Sequence, residues 1–310
     1  MATRSLNNHL SGIPDPFAGV DFSQLERSLR RPRTLVDFAL NLTVSVLTLV
    51  ALVPLFSVVL LLLWRGGKRL SSTVFTALPP VPMEPGGGFG NAIVGTLVMV
   101  GLAMLFSVPF GVLTGIYLAQ ARGRLAYTVR FCAKLLTGFP SILAGVFAYG
   151  VVVLATGSFS ALAGAIALAV LMLPTIILTS EDAIRMVPSK MKEAAIGMGS
   201  TPTQAVWMVL VPTAIPGILT GIMLAVARAA GETAPLIFTA LFSNYWLWSH
   251  GKAQLMQPTA SLAVLIYNFA GMPFKNQVEL AWAAALVLVL LVLTANLIGQ
   301  SLSSRHVQQQ

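Results

Sequence analysis

The chain has 310 residues, of which 56% are hydrophobic and only 9% are charged, and its mean hydropathy is +0.83. Soluble globular domains carry about 25% charged residues, so this composition excludes a water-soluble protein and indicates an integral membrane protein. The net charge of +9 does not indicate nucleic-acid binding, because the basic residues lie in the breaks between apolar runs. A single cysteine, Cys132, excludes a disulfide within the chain, and the three histidines are too far apart for a metal site.

The first 34 residues are polar and end in a basic cluster of Arg27, Arg30, Arg31 and Arg33. No short apolar segment with a small-residue cleavage site precedes this cluster, so the segment does not read as a cleaved secretory signal. We expect residues 1–34 to form a cytoplasmic tail in front of the first membrane span.

Six segments are long and apolar enough to cross about 30 Å of hydrocarbon, which needs about 20 residues of helix. They are Phe38–Trp64, Asn91–Gln120, two spans within Leu135–Ser180 that separate at 156–160, about Thr213–Phe242, and Leu280 to about Gln300. The loop before the last span contains Trp246 and Trp248, which suit a membrane interface. It also contains an apolar stretch near 260–270 that is too short to span, and we expect it at the membrane surface. The fold class predicted is an all-α integral membrane bundle.

The distribution of positive charge sets the orientation of these spans. Most Lys and Arg residues lie in the tail and in the segments 122–134 and 185–192, which places both termini in the cytoplasm. Arg65, Lys68 and Arg69, which follow the first span, favour the opposite orientation, but the segments assigned to the cytoplasm contain more Lys and Arg residues. The two halves show no internal repeat, so nothing favours an inverted-repeat secondary transporter.

The predicted fifth span carries two charges, Arg228 and Glu232, in the stretch AVARAAGETAPLIF. An arginine at the bilayer centre costs about 2.5–3.5 kcal/mol, whereas a helical i,i+4 pair returns only about 0.2–0.5 kcal/mol. Helix stability therefore does not explain the pair. Gly217, Gly221 and Ala225 precede it at steps of three or four, which predicts one shared helix face. Because a Gly-xxx-Gly step marks a packing face, we expect this face to point into the bundle or a water-filled path.

Two interpretations of the pair remain open. One is a structural ion pair that locks two helices, and the other is a substrate pathway, which intramembrane ionisable residues commonly mark. The planar guanidinium of Arg228 suits a tetrahedral oxyanion, so the cargo expected in the second case is an anion. Glu232 then either keeps Arg228 neutralised until the anion arrives or accepts the proton that hydrogen phosphate carries and sulfate lacks.

The longest predicted inside loop, 181–212, contains Glu193-Ala194-Ala195, three further residues, Gly199, nine residues and then Val209-Leu210-Val211-Pro212. Pro188 and Ser189 favour the start of a short helix, and Gly199 favours its end. Ser200-Thr201-Pro202 then predicts a turn into a second helical piece. Such a helix-turn-helix suits a groove on a partner protein, and the alternative is an ordinary amphipathic surface loop.

Nucleotide-binding motifs are missing from the sequence. The stretch Gly66-Gly67-Lys68-Arg69 lacks both the glycine spacing and the Ser or Thr that follow a phosphate-binding lysine. If ATP drives transport, another chain hydrolyses it.

The loop pattern resembles the EAA loop of ABC-importer permeases, with Val209 and Val211 in place of the usual Ile and Leu. Four other segments are similar to the PstA family, one of the two kinds of membrane subunit in the bacterial phosphate-specific ABC importer. They are GFPSILAGVFAYG at 138–150, ARAAGETAPLIFTA at 227–240, MQP at 256–258 and LAWAAALVL at 280–288. Leu178 is a departure, because many relatives carry an arginine at that place.

The resemblance implies a type I ABC importer permease with six transmembrane helices and a cytoplasmic EAA coupling loop. Its domains would be the tail 1–34, a transmembrane domain 35–304 that includes the coupling loop 181–212, and a C-terminal tail 305–310. The protein would be a non-catalytic subunit in the bacterial inner membrane, with both termini cytoplasmic, that moves inorganic phosphate from periplasm to cytoplasm by alternating access. The alternatives are an ABC permease for sulfate or molybdate and an ATP-independent anion carrier.

The resemblance also implies partners and site residues. The expected partners are a PstC-like sister permease, a homodimeric PstB-like ATPase that binds ATP and Mg, a PstS-like periplasmic phosphate-binding protein, and membrane lipid. The chain itself would hold no cofactor. The residues implied for the substrate pathway are Arg228, Glu232 and Thr233, and those implied for ATPase coupling are Glu193, Ala194, Ala195, Gly199 and Pro202.

Overall fold

The computed structural model describes residues 32–249 and 251–307, with side chains described over 35–248 and 251–301. The chain divides into two compact units, Met1–Val59 and Leu60–Gln310. The predicted N-terminal tail lies outside the described residues up to residue 31, and so do the last three residues of the predicted C-terminal tail.

The first helix, α1, covers Pro32–Leu61 and continues through a π-helical turn, Leu62–Gly66, and a last turn, Gly67–Arg69. It contains the predicted first span. Three hydroxyl side chains in this helix donate hydrogen bonds of 2.8 Å to carbonyl oxygens one turn earlier, and they are Thr43, Ser45 and Thr48. These bonds satisfy the three hydroxyl donors within the helix itself, as an apolar surrounding requires.

Among its described residues, the regular structure of the second unit is helical except for one short antiparallel hairpin. Its helices are α2 (Ser72–Thr76), α3 (Gly90–Gln120), α4 (Arg124–Thr137), α5 (Ser141–Ala148), α6 (Ala161–Arg185), α7 (Ser189–Gly197), α8 (Pro202–Ala205), α9 (Val211–Ala230), α10 (Ala234–Ile237), α11 (Leu262–Ala270) and α12 (Lys275–Val307). The hairpin pairs β1 (Trp248–Ser249) with β2 (Lys252–Ala253). Helix α5 continues through Tyr149–Val153 to Leu154–Thr156, and the π-helical turn Val206–Leu210 joins α8 to α9.

Among the described residues, five helical segments are long and apolar enough to cross a membrane, and the bent pair α4 and α5 is a sixth if it counts as one span. The prediction of an all-α membrane bundle is confirmed. The third span differs in detail, because α4 and α5 meet at an angle of 107°. The predicted span began at Leu135, whereas the helix stops at Thr137 and restarts after Pro140. Proline disfavours helical geometry in the residue before it, which explains the break there.

Helix α6 lies at the centre of the bundle, and α3 packs along one side of it. A Cβ atom on Gly111 would lie 2.7 Å from Ile176 Cγ2, and one on Gly115 would lie 2.6 Å from Ser180 Cβ. Both contacts advance by four residues in the same sense, so α3 and α6 run parallel. Glycine is required at both places because the backbones approach too closely for a side chain.

Helix α9 packs on the other side of α6 and runs in the opposite direction. A Cβ atom on Gly217 would lie 2.8 Å from Ala183 Cβ, and one on Gly221 would collide with the side chain of Thr179. The Gly-xxx-Gly step therefore faces a neighbouring helix, as the sequence predicts.

The apolar stretch near 260–270 forms α11, and this helix packs among the other helices of the bundle, which the sequence did not predict. Leu262 and Leu265 are fully buried, packed with residues of α12 in one apolar cluster. The backbone N–H of Leu262 donates to Thr96 Oγ1 at 2.9 Å, inside the bundle. A segment too short to span can still enter the bundle when its first N–H groups are capped in this way.

Candidate functional site

A buried carboxylate links three helices at the end of the bundle that carries the loop 181–212. Glu181 is 3% exposed, accepts a hydrogen bond from Arg130 Nε at 2.8 Å, and forms ion pairs with Arg130 Nη2 at 2.7 Å and Arg185 Nη2 at 2.8 Å. Arg130 Nη2 also donates to Leu118 O at 2.9 Å, which ties α3 to the same cluster. Sequence reasoning missed this cluster. The i,i+4 spacing of Glu181 and Arg185 was a visible signal, whereas the part played by Arg130 emerges only from the fold.

The loop itself folds as the predicted helix-turn-helix. Helix α7 ends before Gly199, whose φ of +96° lies in the left-handed region that favours glycine. The Thr201 side chain accepts from the Gln204 N–H and the Gln204 side chain accepts from the Thr201 N–H, so a capping box starts α8. Pro202 occupies the first helical position, where its missing N–H costs nothing.

The predicted coupling residues lie together on this loop. Glu193, Ala194, Gly199 and Pro202 are exposed, whereas Ala195 lies on the buried side of α7. Large apolar side chains around them are also exposed, and we call them the loop surface: Met186, Met191, Ile196, Met198, Trp207 and Met208. An exposed apolar patch of this kind on a membrane protein's polar end is typical of a protein contact.

The predicted pathway pair lies at a break in the fifth span. Helix α9 ends at Ala230, not near Phe242, so Arg228 lies in its last turn and Glu232 lies beyond it. Arg228 Nε and Glu232 Oε1 are 3.4 Å apart, with the two side chains 42% and 17% exposed. The expectation that both share the face of one continuous helix is therefore corrected. Thr233 is half-buried and directly precedes α10.

Packing against α6 gives the depth of Arg228 in the bundle. Gly221 lies beside Thr179, and Arg228 follows seven residues later, an advance of about 10 Å along α9. Because α9 and α6 run in opposite directions, that advance reaches the level of Met172, near the middle of α6. The helix therefore breaks at about half the depth of the bundle.

Protein packing supports the broken segment beyond Ala230. Pro235 lies against α5, where a Cβ atom on Gly145 would be 2.6 Å from its Cα atom. The N–H of Ser160 donates to Thr239 O at 2.9 Å. Irregular backbone at membrane depth is tolerated where it is buried in protein or lines a water-filled cavity, so this segment suits a pathway wall.

The guanidinium of Arg228 keeps most of its donors free. Among the described residues, its only hydrogen-bond partner is Glu232, through Nε. Both residues belong to one continuous segment, so within the part of this chain that the structure describes the pair does not join two separate helices. The two terminal nitrogens remain able to donate to an oxyanion in a forked geometry.

Comparison with known proteins places these features in a family. Residues 107–307 match the family described as "Binding-protein-dependent transport system inner membrane component". The PstA phosphate transport system permease of Haemophilus influenzae is 39% identical over 238 residues, covering 76% of this chain and 82% of the relative. The chain belongs to the PstA family. The PstA 1 permease of Mycobacterium tuberculosis is 34% identical over 297 residues, which is 94% of this chain and 95% of that protein.

Solved structures support the fold of this PstA family member. A chain of a bacterial alginate ABC transporter matches with a TM-score of 0.58 at 16% identity, covering 88% of this chain and 95% of that one. A chain of the MetNI methionine ABC transporter matches with a TM-score of 0.53 at 22% identity, covering 71% and 94%. At these identities the likeness shows the fold alone, a type I ABC importer permease.

Proposed function

We propose that this chain is the transmembrane subunit of an ATP-driven importer that moves inorganic phosphate from the periplasm to the cytoplasm by alternating access. The observation that carries the proposal is Arg228, a partly exposed guanidinium at mid-depth, beside a helix break, in a member of the PstA family. An arginine in that position is costly unless an anion or a counter-charge meets it.

The chemistry of the site follows from the free donors of Arg228. Its two terminal nitrogens donate to two phosphate oxygens, and the hydroxyl of Thr233, close in sequence, is a further candidate donor. Glu232, at 3.4 Å from Nε, neutralises the guanidinium between transport events and is displaced from it by the anion. The alternative role, acceptance of the proton of hydrogen phosphate, predicts that Glu232→Gln admits sulfate.

The test is phosphate uptake by cells that carry Arg228→Gln, for which we expect loss of uptake with normal assembly. Arg228→Lys keeps the charge but removes the fork, so we expect partial uptake with a raised KM. Arg122→Gln is the matched control, because Arg122 is an exposed arginine at the loop end of α3. Normal uptake by Arg228→Gln would refute the proposal, and equal competition by sulfate or molybdate would reassign the substrate.

The same proposal includes the partners of the complex. The loop surface docks on a homodimeric PstB-like ATPase, which binds ATP and Mg²⁺, so the loop and both termini face the cytoplasm. A PstC-like sister permease completes the pathway, and a PstS-like binding protein delivers phosphate from the periplasm. The helical run Pro202–Ala230 supports this arrangement, because 29 residues connect the docking loop directly to Arg228.

Coupling through the loop is tested with a matched pair of glycine substitutions. Gly199→Ala forces a side chain into the left-handed region, which costs about 1–2 kcal/mol, whereas a Cβ atom on Gly197 meets open space. We expect Gly199→Ala to lower phosphate uptake and phosphate-linked ATP hydrolysis together, and Gly197→Ala to change neither. Unchanged copurification of the ATPase and unchanged uptake in Gly199→Ala would contradict the coupling role.

A further inference from the structure

A second group of cations lies at the end of the bundle opposite the loop. Lys192 of the loop donates to Gln120, the last residue of α3, which places the loop at that end. Arg69 donates to the carbonyl oxygen of Gly86, four residues before α3 begins, so Arg69 lies at the other end. In the orientation proposed above this end faces the periplasm, where the positive-inside rule disfavours basic residues. The transport site at Arg228 does not use these cations, so they need another explanation.

These cations line one cavity. We call the basic pocket the cavity of about 490 Å³ that is lined by four cations, Arg65, Lys68, Arg69 and Lys275, and by one carboxylate, Glu279, together with Trp282. Its walls come from the continuation of α1 and the start of α12, which pack closely. A Cβ atom on Gly66 would lie 2.7 Å from the carbonyl oxygen of Trp282. The geometry of the pocket is thus fixed by backbone contact.

The positive charges in the basic pocket are held by neutral groups. Arg69 Nη2 donates to Gly86 O at 3.0 Å and to Asn276 Oδ1 at 3.1 Å. The Arg65 guanidinium lies 5.3 Å from the centre of the Trp282 ring, and Lys68 Nζ lies 4.8 Å from that of Trp64. Aromatic faces and amide oxygens orient a cation without removing its charge.

Counter-charge is scarce at this place. Among the described residues, no carboxylate forms an ion pair with Arg65, Lys68 or Arg69. The carboxylate of the lining, Glu279, lies 3.9 Å from Lys275, and because both side chains are exposed this pair is weak and leaves the other three cations without a partner carboxylate in the described part of the chain. Three uncompensated cations around one cavity repel one another, and an anion inside the cavity relieves that repulsion.

We propose that the basic pocket binds a phosphate group, either the headgroup of an anionic phospholipid or free inorganic phosphate. A phosphate oxygen accepts charge-assisted hydrogen bonds from arginine and lysine, and 490 Å³ holds a phosphate with an attached glycerol. Trp64 and Trp282 are of the type that anchors proteins at the headgroup level. This site is separate from Arg228, and its occupancy does not depend on the transport function.

The experiment uses the purified membrane complex without its periplasmic binding protein and carrying Arg228→Gln, so that neither that protein nor the transport site contributes phosphate binding. In the first arm, quenching of tryptophan emission by brominated phosphatidylglycerol is compared with quenching by brominated phosphatidylcholine. In the second arm, radiolabelled inorganic phosphate is bound in phosphatidylcholine nanodiscs. Excess quenching by the anionic lipid assigns the pocket to a lipid headgroup, and saturable phosphate binding assigns it to free phosphate.

The variant Arg65→Gln with Lys68→Gln removes two of the cations, and we expect about a 30-fold weaker affinity in the arm that shows binding. Lys252→Gln is the matched control, an exposed lysine at the same end of the bundle but outside the pocket, and it leaves affinity unchanged. Lys68→Arg keeps the charge and keeps binding, which separates charge loss from misfolding. Absence of binding in both arms, or equal binding by the double variant, overturns the proposal.

Discussion

The closest approach of α9 to α6 gives a prediction whose size follows from the structure. Gly221→Ala places a Cβ atom 2.5 Å from Thr179 Cβ and in collision with Thr179 Oγ1. Thr179 cannot turn away freely, because Oγ1 donates to Thr175 O at 2.8 Å. Overpacking of this kind costs about 1–3 kcal/mol, and a clash with a Cβ atom fixed to the facing helix points to the upper half of that range. We therefore expect Gly221→Ala to lower the free energy of unfolding by about 2 kcal/mol.

The assay is reversible unfolding of the purified protein by sodium dodecyl sulfate in mixed micelles, where a loss of that size lowers the folded-to-unfolded ratio about 30-fold. Gly101→Ala is the matched control, since a Cβ atom on Gly101 meets nothing within 4 Å and the residue is exposed. We expect it to leave the free energy of unfolding unchanged or to raise it by up to about 1 kcal/mol, because alanine favours a helix interior more than glycine does. Thr179→Ala in the Gly221→Ala background removes the nearest atom and restores part of the loss. Equal stability of Gly221→Ala and Gly101→Ala would refute the described helix contact.

Two further predictions concern the polar groups at the end of α6, measured by the same unfolding assay. Glu181→Gln leaves Arg130 and Arg185 without their shared counter-charge. Because these side chains are 23% and 51% exposed, water compensates part of the effect, and we expect the free energy of unfolding to fall by about 2 kcal/mol, less than the full cost of a buried unpaired charge. Glu279→Gln, in an exposed pair, is its control and changes stability by about 0.5 kcal/mol or less. Ser180→Ala removes a buried hydroxyl that has no partner among the described residues, so stability stays equal or rises by up to about 1 kcal/mol. Ser160→Ala loses the cap of α6 and costs about 1 kcal/mol, so equal losses from both serines would contradict this reasoning.

Features set by neighbouring residues were predictable from the sequence. The turn after α7 follows from Gly199 and the Thr201-Pro202 start of the next helix, and the structure shows both. The packing face of α9 follows from Gly217 and Gly221, because a small-residue step suits close helix contact wherever the partner helix lies. In each case the physical cause lies within a few residues of chain.

Features set by distant residues were not predictable. The burial of α11 depends on Thr96, which lies far away in sequence and caps its first turn. The Glu181 cluster needs Arg130 on a helix that bends away from the span after it. Local spacing carries no information on which of these helices meet.

The sequence analysis did not predict the helix break after Ala230, although the local residues that favour a break are present. Gly231 at the end of α9 and Pro235 at the start of α10 are the residues that favour a helix stop and a helix start. The surrounding run is so apolar that length alone favoured one continuous span. The break has a consequence for Arg228, which now lies in the last helical turn, where the carbonyl end of the helix dipole favours a positive charge. The same break that interrupts the span therefore lowers the cost of keeping a guanidinium at mid-depth, and the continuous run from Pro202 links that charge to the loop.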